Sequence, residues 1–135
     1  MSAPPIGLRA LIGAILEPYA DGDRIVVQGA DFEIEDNATA NIALLFYELA
    51  TNAAKYGALS GTEGRVTVKL VEAGANARLV WEETGGPPPA PGQTAGFGSQ
   101  LEKGILRALQ GTIEREWRPQ GLVAAIAIPA RALGS

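Results

Sequence analysis

Hydrophobic residues recur at helical spacing in two stretches of the chain. Near the N-terminus they predict a helix that ends before Pro18; they are Leu8, Leu11, Ile12, Ile15 and Leu16. A longer stretch predicts a helix over residues 38–56. Asp36 or Asn37 would cap its start, and Gly57 would end it. The apolar stripe of this long helix should pack on a sheet; it consists of Ile42, Phe46, Leu49 and Ala53.

Alternation of apolar and polar residues predicts two β-hairpins. The first joins residues 65–72 to residues 77–83, and its apolar positions lie on one face. The second joins residues 112–117 to residues 122–128. Two shorter segments precede the long helix, namely residues 24–28, which indicate a strand, and residues 31–35, which indicate a strand or a loop.

A stretch rich in proline and glycine separates the two hairpins. Residues 84–98 contain too many of both for a regular element. Ser99 followed by Glu102 is the signature of a capping box. A third helix should therefore run over residues 100–109 and end at Gly111.

Strands that come in pairs, with helices between the pairs, favour an α+β fold. The expected architecture is a two-layer sandwich, with helices on one face of a mixed, mostly antiparallel sheet. The chain has 135 residues, which fits a single domain over residues 1–135. Its 47% of hydrophobic residues is enough for a packed core.

Composition excludes several kinds of chemistry. The net charge of −4 argues against general nucleic-acid binding, which needs a cationic face. The chain has no cysteine, so it has no disulfide or thiolate metal site. It has no histidine, which removes imidazole acid–base chemistry and most zinc sites. No apolar run approaches the roughly 18 residues of a membrane span, so we expect a cytoplasmic protein without direct membrane contact.

One polar face of the long helix suits a metal–phosphate ligand. On a helical wheel Asn41, Glu48, Asn52 and Lys55 fall within about 60° of one another. An oxygen-rich patch suits Mg²⁺, which takes few protein ligands and completes its shell with water and phosphate oxygens. Lys55 could then meet a phosphate. The competing interpretation is an ordinary solvated face.

Glu83 is unusual because it follows apolar residues on one face of its strand. It shares that face with Leu79 and Trp81, which we expect to be buried. A buried carboxylate needs hydrogen-bond donors, and the exocyclic amine of adenine is one such donor. Alternatively, the strand has ended and Glu83 is solvated. Trp81 itself is expected to be a core residue.

The glycine-rich stretch is the third candidate. Gly85 and Gly86 would let backbone approach a ligand closely. Residues 96–99 (GFGS) lead directly into the third helix, and an N-terminal helix end can bind an anion. The loop could therefore close over a nucleotide as a lid. The alternative is a flexible surface loop.

In this order, the three features resemble the ATP-binding domain shared by histidine kinases, Hsp90, gyrase and MutL. The closer resemblance is to HWE-type sensor histidine kinases. Residues 48–60 (ELATNAAKYGALS) resemble their N box, and residues 81–87 (WEETGGP) match the Trp-x-Glu variant of their G1 box. Residues 96–99 resemble their G2 box, without a separate F box. The resemblance covers residues 8–129 and implies a Bergerat-type ATPase fold.

The resemblance implies a role for each matching residue, with ATP and Mg²⁺ as cofactors. Asn52 would coordinate Mg²⁺, and Glu48 would orient a water or act as a base near the γ-phosphate. Lys55 and Tyr56 would line the phosphate and lid side, and Glu83 would receive the adenine amine where other members have aspartate. Residues of the lid and phosphate approach would be Gly85, Gly86, Gly96, Phe97, Gly98 and Ser99.

Two departures from the family pattern limit what this chain can do alone. Tyr47 stands where HWE-type kinases have a histidine just before the N-box glutamate. The chain also lacks any histidine that could accept the phosphate. The acceptor would lie on a separate helical dimerisation domain. Residues 6–20 are then a candidate linker helix, and residues 84–99 the ATP lid.

Three functions are compatible with this sequence. The first is the catalytic domain of a two-component sensor histidine kinase, with a histidine-bearing dimerisation domain, a sensor domain and a response regulator as partners and no nucleic acid. The second is a stand-alone serine/threonine kinase or anti-sigma regulator of the same fold. The third is a non-catalytic interaction module. Intact Glu48 and Asn52 favour the first two, and the Trp-x-Glu motif favours the first.

Overall fold

The structure is a computed structural model that describes residues 6–20, 22–87 and 100–134. The helices of these residues are α1 (Leu8–Leu16), α2 (Asp36–Tyr56) and α3 (Gln100–Ala108). Their strands are β1 (Ile6–Gly7), β2 (Ile25–Gly29), β3 (Glu33–Ile34), β4 (Arg65–Ala73), β5 (Asn76–Thr84), β6 (Thr112–Arg118) and β7 (Gly121–Pro129). Short 3-10 turns cover Glu17–Tyr19, Ala58–Ser60 and Ala130–Leu133.

Five strands form one mixed sheet in the order β2-β4-β5-β7-β6. Only the β2–β4 pair of this sheet is parallel, and the other three pairs are antiparallel. Both predicted hairpins are confirmed, as β4–β5 and β6–β7. The uncertain segment at residues 31–35 contains the two-residue strand β3, which pairs with β1 outside the main sheet.

The sheet buries one face, and the helices cover it. Alternate residues of β4 and β5 are almost fully buried, as the alternation predicted; they are Val66, Val68, Leu70, Leu79 and Trp81. The stripe of α2 meets this face through Phe46, whose ring lies 6.1 Å from that of Trp81 between centroids. Burying each such large side chain contributes about 1.5–3 kcal/mol. The predicted two-layer α+β sandwich is therefore confirmed.

The N-terminal helix α1 is part of this core. Leu8, Ile12 and Leu16 are buried in the same cluster as the apolar stripe of α2. The helix ends where predicted, and Pro18 lies within the following 3-10 turn, Glu17–Tyr19. A proline is tolerated there because backbone N–H groups in the first turn of a helix have no acceptor within the helix. The N–H that proline lacks therefore costs no helical hydrogen bond.

The start of α2 differs from the prediction. Its N-cap is Glu35, and neither Asp36 nor Asn37 caps it, because both already lie within the helix. Glu35 makes no side-chain capping bond; instead the Thr39 hydroxyl donates to the Glu35 carbonyl over 3.0 Å. Asp36 still stabilises the first turn, since a carboxylate there faces the positive end of the helix dipole.

The end of α3 also differs in detail. Its last α-helical residue is Ala108, and the left-handed position belongs to Gln110, with φ of 56°. Gly111 follows, and its N–H donates to the Leu106 carbonyl over 2.8 Å. Gly111 thus makes a hydrogen bond that ends the helix, but the residue with the left-handed backbone conformation is Gln110.

Glu102 of α3 forms a buried ion pair with Arg115 of β6. Both of its carboxylate oxygens accept from the guanidinium of Arg115 on β6, one of them over 2.9 Å. The two side chains are only 3% and 12% exposed. The other half of the predicted capping box, Ser99, lies outside the described residues. The pair fastens α3 to the edge of the sheet.

We expect Glu102→Gln to destabilise the fold by roughly 3 kcal/mol, because it removes the carboxylate charge that pairs with the buried Arg115 guanidinium. Urea unfolding measures this loss. Glu116→Gln is the matched control on the same strand. Glu116 pairs with Arg118 at an exposed site, where the hydrogen bond from Arg118 lowers the pKa of the carboxyl but solvent screens the pair. Equal stability of the two variants would contradict the structural role of Glu102.

Candidate functional site

A small cavity, partly open to solvent, lies beside the C-terminal half of α2. Asn52 and Tyr56 of α2 line it, together with Glu83 at the end of β5 and the following Gly86. The long helix and the Trp-x-Glu strand, which the sequence placed in separate elements, thus meet at one site.

Glu83 lies at this cavity and is nearly buried, with 5% of its surface exposed. Its Oε1 accepts from the Ala58 backbone N–H over 2.9 Å. Its Oε2 accepts from the Trp81 indole Nε1–H over 2.8 Å. The prediction that Glu83 shares the buried face and needs donors is therefore confirmed, and the protein itself supplies one donor to each oxygen.

Trp81 is a core residue, as expected. It is completely buried, and its ring is tilted by 50° against that of Phe46. Such an aromatic pair contributes about 0.5–1.5 kcal/mol beyond its buried area. The indole N–H is satisfied by Glu83, so the buried ring carries its polar atom without penalty.

Glycines allow the backbone to close tightly around the Glu83 carboxylate. A Cβ on Gly57 would overlap Glu83 Oε1, and a Cβ on Gly121 would overlap the Glu83 carbonyl oxygen. A Cβ on Gly86 would lie 2.6 Å from the Ala58 Cα. Glycine at these three positions therefore allows the backbone to pack closely around Glu83, and we call this arrangement the glycine cradle.

Arg24 was not identified from the sequence, yet it holds the loop that supplies the Ala58 donor. Its guanidinium donates to the carbonyls of Gly64, Ala58 and Gly61 over 2.9, 3.1 and 2.6 Å. Hydrogen bonds from a charged donor are stronger than neutral ones. Nothing in the periodicity marked Arg24, because its partners are backbone carbonyls at least 34 residues away.

The remaining predicted residues of α2 lie around the cavity rather than in its wall. Glu48 is partly buried one turn before Asn52, and Lys55 is exposed near the end of the helix. Gly85 has φ of +75°, a conformation that favours glycine. Gly96, Phe97, Gly98 and Ser99 lie outside the described residues.

The opposite wall of the cavity comes from the second hairpin, which sequence reasoning did not connect to the site. Arg115 and Trp117 of β6 line this wall together with Gly121 and Leu122 of β7, and Trp117 pairs with Leu122 across the two strands. These strands follow the first hairpin in sequence, but β7 pairs directly with β5. Only this sheet order brings their side chains to Glu83.

Tyr47 does not line this cavity. It is 56% exposed and lies in a shallow apolar groove between α1 and α2, beside Tyr19 and Leu44. The position at which this chain departs from the HWE pattern therefore lies on a surface separate from the cavity walls.

The described residues contain no cluster of three or more carboxylate, imidazole or thiolate groups that could enclose a metal ion by themselves. The side-chain oxygen of Asn52 at the cavity wall fits Mg²⁺ of the kind that is bound chiefly through phosphate oxygens and water. The acceptor-only Glu83 carboxylate fits an amine-bearing base. The chain's own residues thus fit Mg-ATP.

The fold is that of histidine kinase catalytic domains. The histidine kinase domain of the Erythrobacter litoralis EL346 blue-light-activated histidine kinase superposes with a TM-score of 0.75 at 18% identity, covering 100% of this chain and 70% of that one. Histidine kinase ThkA, in a complex with response regulator protein TrrA, gives a TM-score of 0.62 at 19% identity over 97% of this chain and 43% of that one.

Sequence similarity leads to the same group. Blue-light-activated histidine kinase 1 of Erythrobacter litoralis (strain HTCC2594) is 34% identical over 129 residues, which cover 92% of this chain and 36% of that protein. No protein-family model matches the chain. The chain thus has the fold of histidine kinase catalytic domains and is similar in sequence to blue-light-activated histidine kinases, which confirms the resemblance indicated by its motifs. It spans about a third of the length of such kinases.

Within the described residues, no helix is long and apolar enough to cross a membrane.

We expect Gly57→Ala to destabilise the protein by about 1–3 kcal/mol, because the new methyl group displaces Glu83 Oε1 from the Ala58 N–H and leaves a buried donor unpaired. Gly61→Ala is the matched control: its backbone φ of −115° resembles the −117° of Gly57, but no atom lies near its Cβ position. Urea unfolding compares the two. If Gly61→Ala lowers the free energy of unfolding as much as Gly57→Ala does, the contact between Gly57 and Glu83 is not the cause of the loss.

Proposed function

We propose that this chain binds Mg-ATP in the cavity between α2 and the end of β5 and provides the γ-phosphate to a histidine on a separate helical domain. The observation that carries the proposal is the meeting of Asn52 and Glu83 at one cavity, in a domain whose sequence relatives are histidine kinases. Asn52 supplies a metal-type oxygen and Glu83 an acceptor for a base amine. One site thus offers a ligand for the phosphate-bound metal and an acceptor for the base of the same nucleotide.

The remaining roles follow from position along α2. Asn52 would hold Mg²⁺, and Glu48, one turn earlier, would orient or deprotonate the attacking group. Lys55 and Tyr56 would flank the phosphates near the end of the helix. The lid over residues 84–99, including Gly85, would cover the nucleotide. Catalysis would depend mainly on positioning and charge neutralisation, because phosphoryl transfer asks little covalent chemistry of the protein.

The phosphate acceptor must come from elsewhere, because this chain has no histidine. A kinase of this kind would act with a histidine-bearing dimerisation domain, a sensor domain and a response regulator. The complex of the fold neighbour ThkA with TrrA supports a response-regulator partner. The proposed reaction consumes ATP, which places it in the cytoplasm. Residues 1–135 would act as one catalytic domain.

Asn52→Ala tests the metal role. We expect it to weaken Mg-ATP binding by at least about tenfold, while binding of ATP in EDTA changes little, because the lost oxygen acts on the metal. Calorimetric titration with and without Mg²⁺ measures both. Asn41→Ala is the control, since Asn41 lies on the same helical stripe three turns earlier. If the wild-type chain binds no Mg-ATP at millimolar concentration, the proposed function is wrong.

Glu48→Gln tests the catalytic role in the full-length protein that carries this domain. We expect ATP binding to persist and the transfer rate to fall by about 10²–10⁴-fold, because a positioned base contributes that much.

Acid-labile, base-stable phosphate on the protein would identify phosphohistidine. Acid-stable phosphate on serine or threonine would instead favour the stand-alone serine/threonine kinase, and binding without any transfer would favour the non-catalytic module.

A further inference from the structure

The side chain of Glu83 is held at both oxygens by donors from two different parts of the fold. One donor is the backbone N–H of Ala58, just after α2 ends. The other is the indole N–H of Trp81, two residues earlier on the same face of β5. Glutamate has one more rotatable bond than aspartate, so a glutamate used for recognition needs more restraint to hold its carboxylate in one place.

Trp81 is a rigid donor because its ring cannot turn. It is completely buried, and Phe46 of α2 packs against it. A side chain packed on all sides occupies a single rotamer, so the direction of its N–H is fixed by the core. The Nε1–Oε2 distance of 2.8 Å is that of a well-formed hydrogen bond.

We propose that the Trp81 indole N–H is a positioning group that sets the base specificity of the cavity by holding the Glu83 carboxylate toward an amino-purine. This inference rests on the proposed nucleotide binding and deepens it. Trp81 itself does not contact the nucleotide, because it is completely buried. It acts through Oε2 of Glu83.

The chemistry of the carboxylate defines the selectivity. An ionised carboxylate accepts about four hydrogen bonds, and the described part of the chain supplies two donors to Glu83. The cavity-facing lone pairs can accept from the 6-amino group of adenine. A 6-oxo purine such as hypoxanthine would instead present an oxygen lone pair to the carboxylate, which repels it. Discrimination between ATP and ITP therefore reports how well Glu83 is placed.

Trp81→Phe removes the donor and keeps an aromatic ring against Phe46. We expect ATP affinity to fall by about tenfold and ITP affinity to change much less, so that the ATP/ITP ratio drops. Glu83→Gln should abolish most of the discrimination. Leu79→Val is the control for lost stability, because Leu79 is buried on the same face of β5 and does not line the cavity. Calorimetric titration of both nucleotides with Mg²⁺ gives all ratios.

The outcomes separate this inference from the function on which it rests. If wild type binds neither nucleotide, the proposed function fails and this inference fails with it. If wild type binds ATP but Glu83→Gln keeps the full preference for ATP, base recognition by Glu83 and this inference are rejected, while nucleotide binding stands. If Glu83→Gln loses the preference but Trp81→Phe keeps it, only the positioning role of Trp81 is rejected. A ratio lowered equally by Leu79→Val would also reject it, because general destabilisation would then explain the effect.

A second measurement does not depend on the folding of Trp81→Phe. The chain has two tryptophans, so ¹⁵N-labelled protein gives two indole signals. Trp117→Phe assigns them. The Trp81 N–H signal should be protected from solvent exchange, should shift in Glu83→Gln, and should respond more to ATP than to ITP. A Trp81 signal that is indifferent to both Glu83→Gln and ATP would overturn the proposal.

Discussion

A carboxylate at the end of a buried strand is the constraint on which this site depends. Glu83 continues an apolar face that includes Leu79 and Trp81, and an unpaired charge there would cost several kcal/mol. The structure meets that cost with two N–H donors from different elements. The chain can bring both donors close only where glycines leave room for them.

That requirement links distant parts of the chain. The Ala58 donor lies in a loop that Arg24 holds from the start of β2 through three backbone carbonyls. Gly57, Gly86 and Gly121 bring three loops within contact of the carboxylate and its neighbours. The cavity is the space that remains between this cradle, α2 and the second hairpin. Its walls are therefore set by backbone packing as much as by the motif residues.

Different faces of the same elements contribute to stability and to the site. The apolar stripe of α2 fixes the helix on the sheet, while its adjoining polar residues, Asn52 and Tyr56, reach the cavity. The buried ion pair of Glu102 and Arg115 holds α3 against the edge strand β6. Residue 47, the point of departure from HWE-type kinases, lies in a separate groove between α1 and α2. Tyr47 can therefore change that surface without altering the cavity walls.

Periodicity and turn chemistry by themselves determined the helices, both hairpins and the buried face of β5, because these depend on local spacing of apolar residues. The motif order also indicated Asn52 and Glu83 as site residues, and both line the same cavity. Tertiary structure alone decided the rest. The N-cap of α2, the partner of Glu102, the role of Arg24 and the wall formed by β6 and β7 all depend on contacts between residues far apart in sequence. No local pattern encodes such contacts, because they form only once the chain is folded; the wall formed by β6 and β7, for example, reaches the site because the sheet order places β7 beside β5.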